Sequence, residues 1–167
     1  MEKILNDLNY RLTLTYILFS IDEPVKHIKY PPIGIVRSPF KLLKDIPRQT
    51  IQTSDIQGVV EIFPECAAGL QGLDRFSHII LVCHFHLSEG FSLIVKPNRA
   101  KELPRGVFAT RSPRRPNGIG ISVVRLEKIE GRKIYFRDVD LADGTPILDI
   151  KPLANELEQR SEQIKMR

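Results

Sequence analysis

Cysteine is almost absent from these 167 residues: only Cys66 and Cys83 occur. Two thiols cannot build the disulfide framework of a small secreted domain, and no CxxC pair offers a zinc site. A reduced, cytoplasmic protein is the expectation. Long apolar runs are missing as well. The stretch from Leu12 to Ile21 is broken by Thr13, Thr15 and Ser20, is too short to cross a bilayer, and is followed by no small-residue cleavage site. Neither a membrane span nor a signal peptide is expected. There is no GxSxG elbow, no Walker-type GKS or GKT segment and no low-pKa setting around either cysteine. Serine and cysteine hydrolases and P-loop nucleotidases are thereby set aside. Gly118-Ile119-Gly120 begins like a dinucleotide fingerprint, but Val123 stands where its third glycine belongs.

Acidic residues are scarce in one place. Between Lys96 and Arg115 lie Lys96, Arg99, Lys101, Arg105, Arg111, Arg114 and Arg115, opposed only by Glu102. The whole chain carries a net charge of +5 and a pI near 9.3, so a polyanionic partner fits, and the clustering says where it would sit. The run from Gly106 to Val123 follows directly. Pro113 and Pro116 stiffen it, Arg111, Arg114 and Arg115 supply planar cationic donors, and Thr110, Ser112 and Asn117 add short hydrogen-bonding groups. Gly118 and Gly120 permit positive φ or close approach of a ligand. This composition suits the grip of an anion or nucleotide, and it equally suits an ordinary solvated basic loop.

The remaining pattern is mainly β. Ile33 to Val36, Val59 to Phe63, Phe76 to His86, Gly106 to Ala109, Ile119 to Ile129, Lys133 to Val139 and Ile147 to Ile150 read as strands. A helical segment starts at Pro64 and ends near Gly72, and Glu130-Gly131 marks a hairpin turn. Regular alternation of strand and crossover helix is missing, which argues for antiparallel structure and against a doubly wound sheet. Along Phe76 to His86, Ile79, Leu81, Cys83 and Phe85 share one face, and His78, His84 and His86 share the other. The histidine spacing permits metal ligation, yet no third ligand is identifiable, so no metal is expected. His86, nearest the strand end, is the histidine expected to face a pocket. Asp143-Gly144-Thr145-Pro146 and Pro47-Arg48-Gln49 are each either a ligand-contacting turn or a plain one.

Taken together, several segments resemble the TrmO family of S-adenosylmethionine-dependent tRNA adenine N6-methyltransferases. The resemblance rests on Ile33-Gly34-Ile35-Val36-Arg37-Ser38-Pro39-Phe40-Lys41, Pro47-Arg48-Gln49, Leu73-Asp74-Arg75-Phe76-Ser77-His78, Phe85-His86, the run from Gly106 to Val123, and Asp140 to Pro152. It covers Ile33 to Leu153, with residues 1–32 as an N-terminal extension and 154–167 as a polar tail. The family pattern usually has proline where Gly118 stands.

The resemblance implies a small antiparallel β-barrel with short flanking helices, not a Rossmann fold, acting as a homodimer with the cofactor near the subunit interface. It also implies methyl transfer to N6 of threonylcarbamoyladenosine at position 37 of threonine tRNA. By the same carry-over, Pro47, Arg48, Gln49, His86, Leu87, Arg111, Asp143, Gly144, Thr145 and Pro146 hold S-adenosylmethionine, with Val123 contributing through its backbone. Lys96, Arg99, Lys101, Arg105, Arg114 and Arg115 are assigned to tRNA phosphates. No general base is identifiable beyond His86 as a candidate. The competing reading, which Gly118 leaves open, is a non-catalytic RNA- or nucleotide-binding β-barrel module.

Overall fold

The computed structural model describes residues 28–46, 56–96 and 103–154. The chain divides into two compact units, Met1–Tyr30 and Pro31–Arg167, and the elements below all belong to the second. Six antiparallel strands close into a barrel: β1 (Gly34–Arg37), β2 (Gln57–Ile62), β3 (His78–His84), β6 (Ile119–Glu130), β7 (Lys133–Arg137) and β8 (Pro146–Pro152). Their order around the barrel is β1-β2-β7-β6-β3-β8, and closure comes from Gly34 pairing with Ile147 and Ile35 with Pro146. A short hairpin, β4 (Ile94–Val95) and β5 (Arg105–Gly106), stands apart from it. The antiparallel, non-Rossmann architecture expected from the sequence is therefore the observed one.

Period-two alternation determines what fills the barrel. Val36, Val60, Ile62, Ile79, Leu81, Cys83, Val124, Ile134, Phe136 and Ile147 point inward and are essentially solvent-free. Phe136 is the largest of them, and a Cβ at residue 58 would lie 2.5 Å from its Cζ, so Gly58 is what admits the ring. Burial of such side chains is worth roughly 1.5–3 kcal/mol each, which makes this interior the main source of stability.

Several element boundaries move for identifiable reasons. The segment after Pro64 is a 3-10 helix, Pro64–Leu70, with the proline at its first turn, and Leu73–Arg75 forms another. Of the expected strand at Gly106 to Ala109 only Gly106 is in a strand, as the end of β5. Val107–Ala109 coils into a 3-10 turn because the Thr110 amide and hydroxyl both donate to the Val107 carbonyl, at 3.0 and 2.8 Å. β7 stops at Arg137 because Asp138 adopts φ 71, a left-handed conformation that Asp tolerates better than most residues. That turn sends Val139 into the core. The β6–β7 hairpin closes through Gly131 at φ 58, as the Glu130-Gly131 pair anticipates. Among the described residues no helix is long and apolar enough to cross a membrane.

Candidate functional site

At one end of the barrel the chain leaving β1 is laced to the loop between β7 and β8. The Asp143 amide donates to the Phe40 carbonyl and the Gly144 amide to the Val36 carbonyl, both at 2.8 Å. The Asp143 carboxylate accepts the Ser38 N–H at 3.0 Å and pairs with Lys41 Nζ at 2.6 Å. Ser38 in turn donates its hydroxyl to the Leu141 carbonyl at 2.7 Å. Lys41 holds the Asp143 carboxyl below the usual aspartate value, with the Ser38 amide adding to the effect. Gly144 sits at φ 77, which a residue with a side chain adopts only under strain. The turn from Asp143 to Pro146 is thus a rigid cradle, with Thr145 buried beneath it.

His86 completes one wall of this cradle, its Nε2 lying 3.8 Å from the point a Cβ on Gly144 would occupy. The reason is local. β3 ends at His84, and the His86 amide bonds the His84 carbonyl while the Ser88 amide bonds the Phe85 carbonyl, turning the chain off the strand. His86 therefore does not share the outer strand face with His78 and His84. His84 instead lies beside Gly118, 3.4 Å from where a Cβ there would sit, so the two rings serve different walls. Among the described residues no group of three or more His, Cys, Asp or Glu side chains converges as a metal site requires.

Burial, and secondarily the charge of His84, pushes the His86 pKa below 6.5. The imidazole is therefore neutral at pH 7 and able to accept a hydrogen bond or a proton. Because the unfolded chain binds this proton more readily, the effect lowers stability only as pH falls below the unfolded value. We expect the His86 ring signals in an NMR titration to inflect below the ordinary histidine value and to move upward in His84→Asn. A His86 inflection unchanged by that substitution would contradict the geometry.

Gly118 and Gly120 of the motif run have roles other than positive φ. Neither Gly118 nor Gly120 takes that conformation. Instead Phe85 lays its ring across Gly120, where a Cβ would come within 2.3 Å of the ring Cζ, while the Phe85 amide bonds the Gly118 carbonyl at 2.7 Å. The close approach is made by a neighbouring side chain. Gly120→Ala is expected to destabilise the protein by about 1–3 kcal/mol, seen as a lower urea midpoint at unchanged slope. The same change in a Phe85→Ala background should have much less effect.

Arg111 lies exposed just beyond the Val107–Ala109 turn, and its charge acts on the half-buried Asp140. Asp140 accepts the Ser122 hydroxyl at 2.5 Å, and burial raises its pKa despite Ser122 and Arg111. Burial together with Asp140 pushes the Cys83 thiol up to about 12, so Cys83 remains protonated and is no nucleophile. Val123 pairs with Ile80 in β3. Since the neighbouring Phe85 and Gly118 form a hydrogen-bonded pair, alternation makes Val123 and Ile80 a non-bonded one. The Val123 amide and carbonyl consequently face the edge that β7 leaves when it ends at Arg137.

His86, Leu87, Gly144 and their neighbours thus occupy the end of the barrel where the Asp143 to Pro146 turn lies. Pro47, Arg48 and Gln49 fall outside the described residues, as do Arg99 and Lys101. Lys96, Arg105 and Arg114 are exposed around the β4–β5 hairpin and the motif run, with Arg115 half-buried. Sequence reasoning assigned no role to Ser38, Lys41, Ser122, Asp140 or Phe85. The partners that place them, Gly118 and Gly120 for Phe85 included, lie 18 to 105 residues away, so no local spacing announces them.

Comparison with known proteins agrees with this architecture. The profile of the tRNA-methyltransferase O N-terminal domain matches residues 35–159. A probable S-adenosyl-L-methionine-binding protein of Pyrococcus abyssi is 53% identical over 133 residues, covering 80% of this chain and 72% of that protein. The human tRNA (adenine(37)-N6)-methyltransferase is 39% identical over 131 residues, covering 75% of this chain and 30% of its own length. The crystal structure of TrmO from Pseudomonas aeruginosa superposes with a TM-score of 0.70 at 37% identity, covering 84% of this chain and 62% of that one. The chain belongs to the family of the tRNA-methyltransferase O N-terminal domain.

Proposed function

We propose that this protein transfers a methyl group from S-adenosylmethionine to N6 of an adenosine in tRNA, specifically of threonylcarbamoyladenosine at position 37 of threonine tRNA. The observation that carries the reading is the cradle at the barrel end, where a positive-φ glycine leaves open the space a Cβ would fill next to a neutral His86. The names of the human and Pyrococcus relatives support the activity and the cofactor. Residues 33–153 would be the methyltransferase domain, with 1–32 and 154–167 as extension and tail.

When bound, S-adenosylmethionine supplies a methyl group on a positively charged sulfur. The chain's own residues have three tasks. Arg111, with Arg48, offers planar donors for the cofactor's carboxylate. The rigid turn from Asp143 to Pro146 and the Val123 backbone orient the cofactor, which matters because in-line approach depends on positioning. His86 is placed to accept a hydrogen bond, or the N6 proton whose loss restores nitrogen nucleophilicity. Lys96, Arg99, Lys101, Arg105, Arg114 and Arg115 would hold RNA phosphates, so binding should weaken with salt.

A homodimer fits the surface. On the outer face of β6, Ile119, Ile121 and Val123 are 42%, 59% and 38% exposed, a stripe of β-branched side chains that a second copy would cover. A cytoplasmic location accords with a tRNA substrate. Incubation of purified protein with radiolabelled cofactor and threonylcarbamoylated threonine tRNA should place label in the tRNA. Tight tRNA binding without any label transfer would favour the non-catalytic module instead.

A further inference from the structure

Across the turn that follows β3 lies an open cavity of about 230 Å3, with His84, Phe85, Phe91, Pro113, Arg115 and Gly118 among its walls. None of these is among the residues assigned to the cofactor. His84 and His86 diverge, the first towards Gly118 and the second towards Gly144, so the two sites lie on opposite sides of one turn. Small-molecule pockets usually measure about 300–1,000 Å3, so this one is undersized for a whole cofactor or nucleotide and suits a single ring system.

The walls are built in advance. The Ser88 hydroxyl donates to the Pro113 carbonyl at 3.1 Å, the Ser92 amide to the Arg114 carbonyl at 3.5 Å, and the Phe85 amide to the Gly118 carbonyl at 2.7 Å. Phe91 is 60% exposed, while Arg115 is half-buried with Arg114 and Lys96 exposed in the neighbouring segments. A bare aromatic face, a guanidinium plane and flanking positive charge recognise a stacked base attached to a phosphate. An apolar peptide would have no use for the cations.

We infer that this cavity receives an unpaired nucleobase of the RNA, adjacent to the nucleotide being methylated and stacked on Phe91 and Arg115. The inference rests on the tRNA reading above. Gly118 carries no side chain against the His84 wall, where a methyl group would stand 3.4 Å from His84 Cε1.

The test uses the anticodon stem-loop of threonine tRNA bearing threonylcarbamoyladenosine at position 37 and 2-aminopurine at each other unpaired position in turn, titrated with wild type, Phe91→Ala and Phe91→Tyr. At one position wild type should quench the fluorescence. Phe91→Ala should lose that quenching and bind RNA roughly tenfold more weakly, Phe91→Tyr should restore both, and calorimetry should show unchanged cofactor affinity. Wild-type quenching and RNA affinity in Phe91→Ala, with methylation intact, would overturn the inference while leaving the functional reading in place. A parallel loss of cofactor affinity would overturn it too, by making the cavity part of the cofactor site. Wild type that neither binds nor methylates the RNA would remove the functional reading itself, and this inference with it.

Discussion

Asp143→Ala is expected to weaken S-adenosylmethionine binding by about tenfold or more and to lower folding stability by roughly 1–3 kcal/mol. Both effects have one origin. The carboxylate accepts the Ser38 amide and pairs with Lys41, fastening the chain after β1 to the turn that contains Gly144. Ser38 is only 9% exposed, so removing its acceptor strands an amide with little access to water. The turn would then lose the restraint that holds Asp143 to Pro146 in place. Asp143→Asn separates the contributions, since its amide oxygen can still accept from Ser38 but carries no charge for Lys41. It should recover most of the stability. Calorimetry for the cofactor and urea unfolding read the two effects separately.

The pH dependence has a defined sign. Lys41 depresses the Asp143 pKa in the folded protein, so the stability from this pair is complete above the ordinary aspartate value of 3.8. It disappears as pH falls through the lower folded value. The stability gap between wild type and Asp143→Ala should therefore narrow in acid by the share that depends on the charge, the Ser38 hydrogen bond remaining, and stay constant towards neutrality.

Arg111→Ala should weaken cofactor binding by about ten- to a hundredfold, the range for losing a hydrogen bond to a charged group. Unlike the Asp143 change, it should leave stability almost untouched, because Arg111 is exposed. Arg111→Lys should recover only part of the affinity, since an ammonium cannot present two parallel donors to a carboxylate. Calorimetric affinities equal to wild type for both Arg111→Ala and Asp143→Ala would contradict the assigned pocket.

The strand pattern was readable because alternation along β3 and β6 is strict: Ile79, Leu81 and Cys83 on one face, His78 and His84 on the other, as the barrel places them. What could not be read were the events that end strands. The return of the Thr110 hydroxyl to Val107, the left-handed Asp138 and the Phe85 ring over Gly120 each depend on a contact that periodicity does not encode. The histidines illustrate the consequence. Extending β3 to residue 86 put three histidines on one face, whereas the turn after His84 sends His86 to Gly144. Resemblance carried Asp143 and Arg111 into one candidate site. The fold adds Lys41, which pairs with Asp143, and Asp140, which feels the charge of Arg111.

The most direct test of the central claim is mass spectrometry of nucleosides from threonine tRNA of cells with and without this protein. The account predicts threonylcarbamoyladenosine bearing one additional methyl group only when the protein is present, with the unmethylated nucleoside accumulating in its absence. Identical nucleoside profiles in the two samples would contradict it.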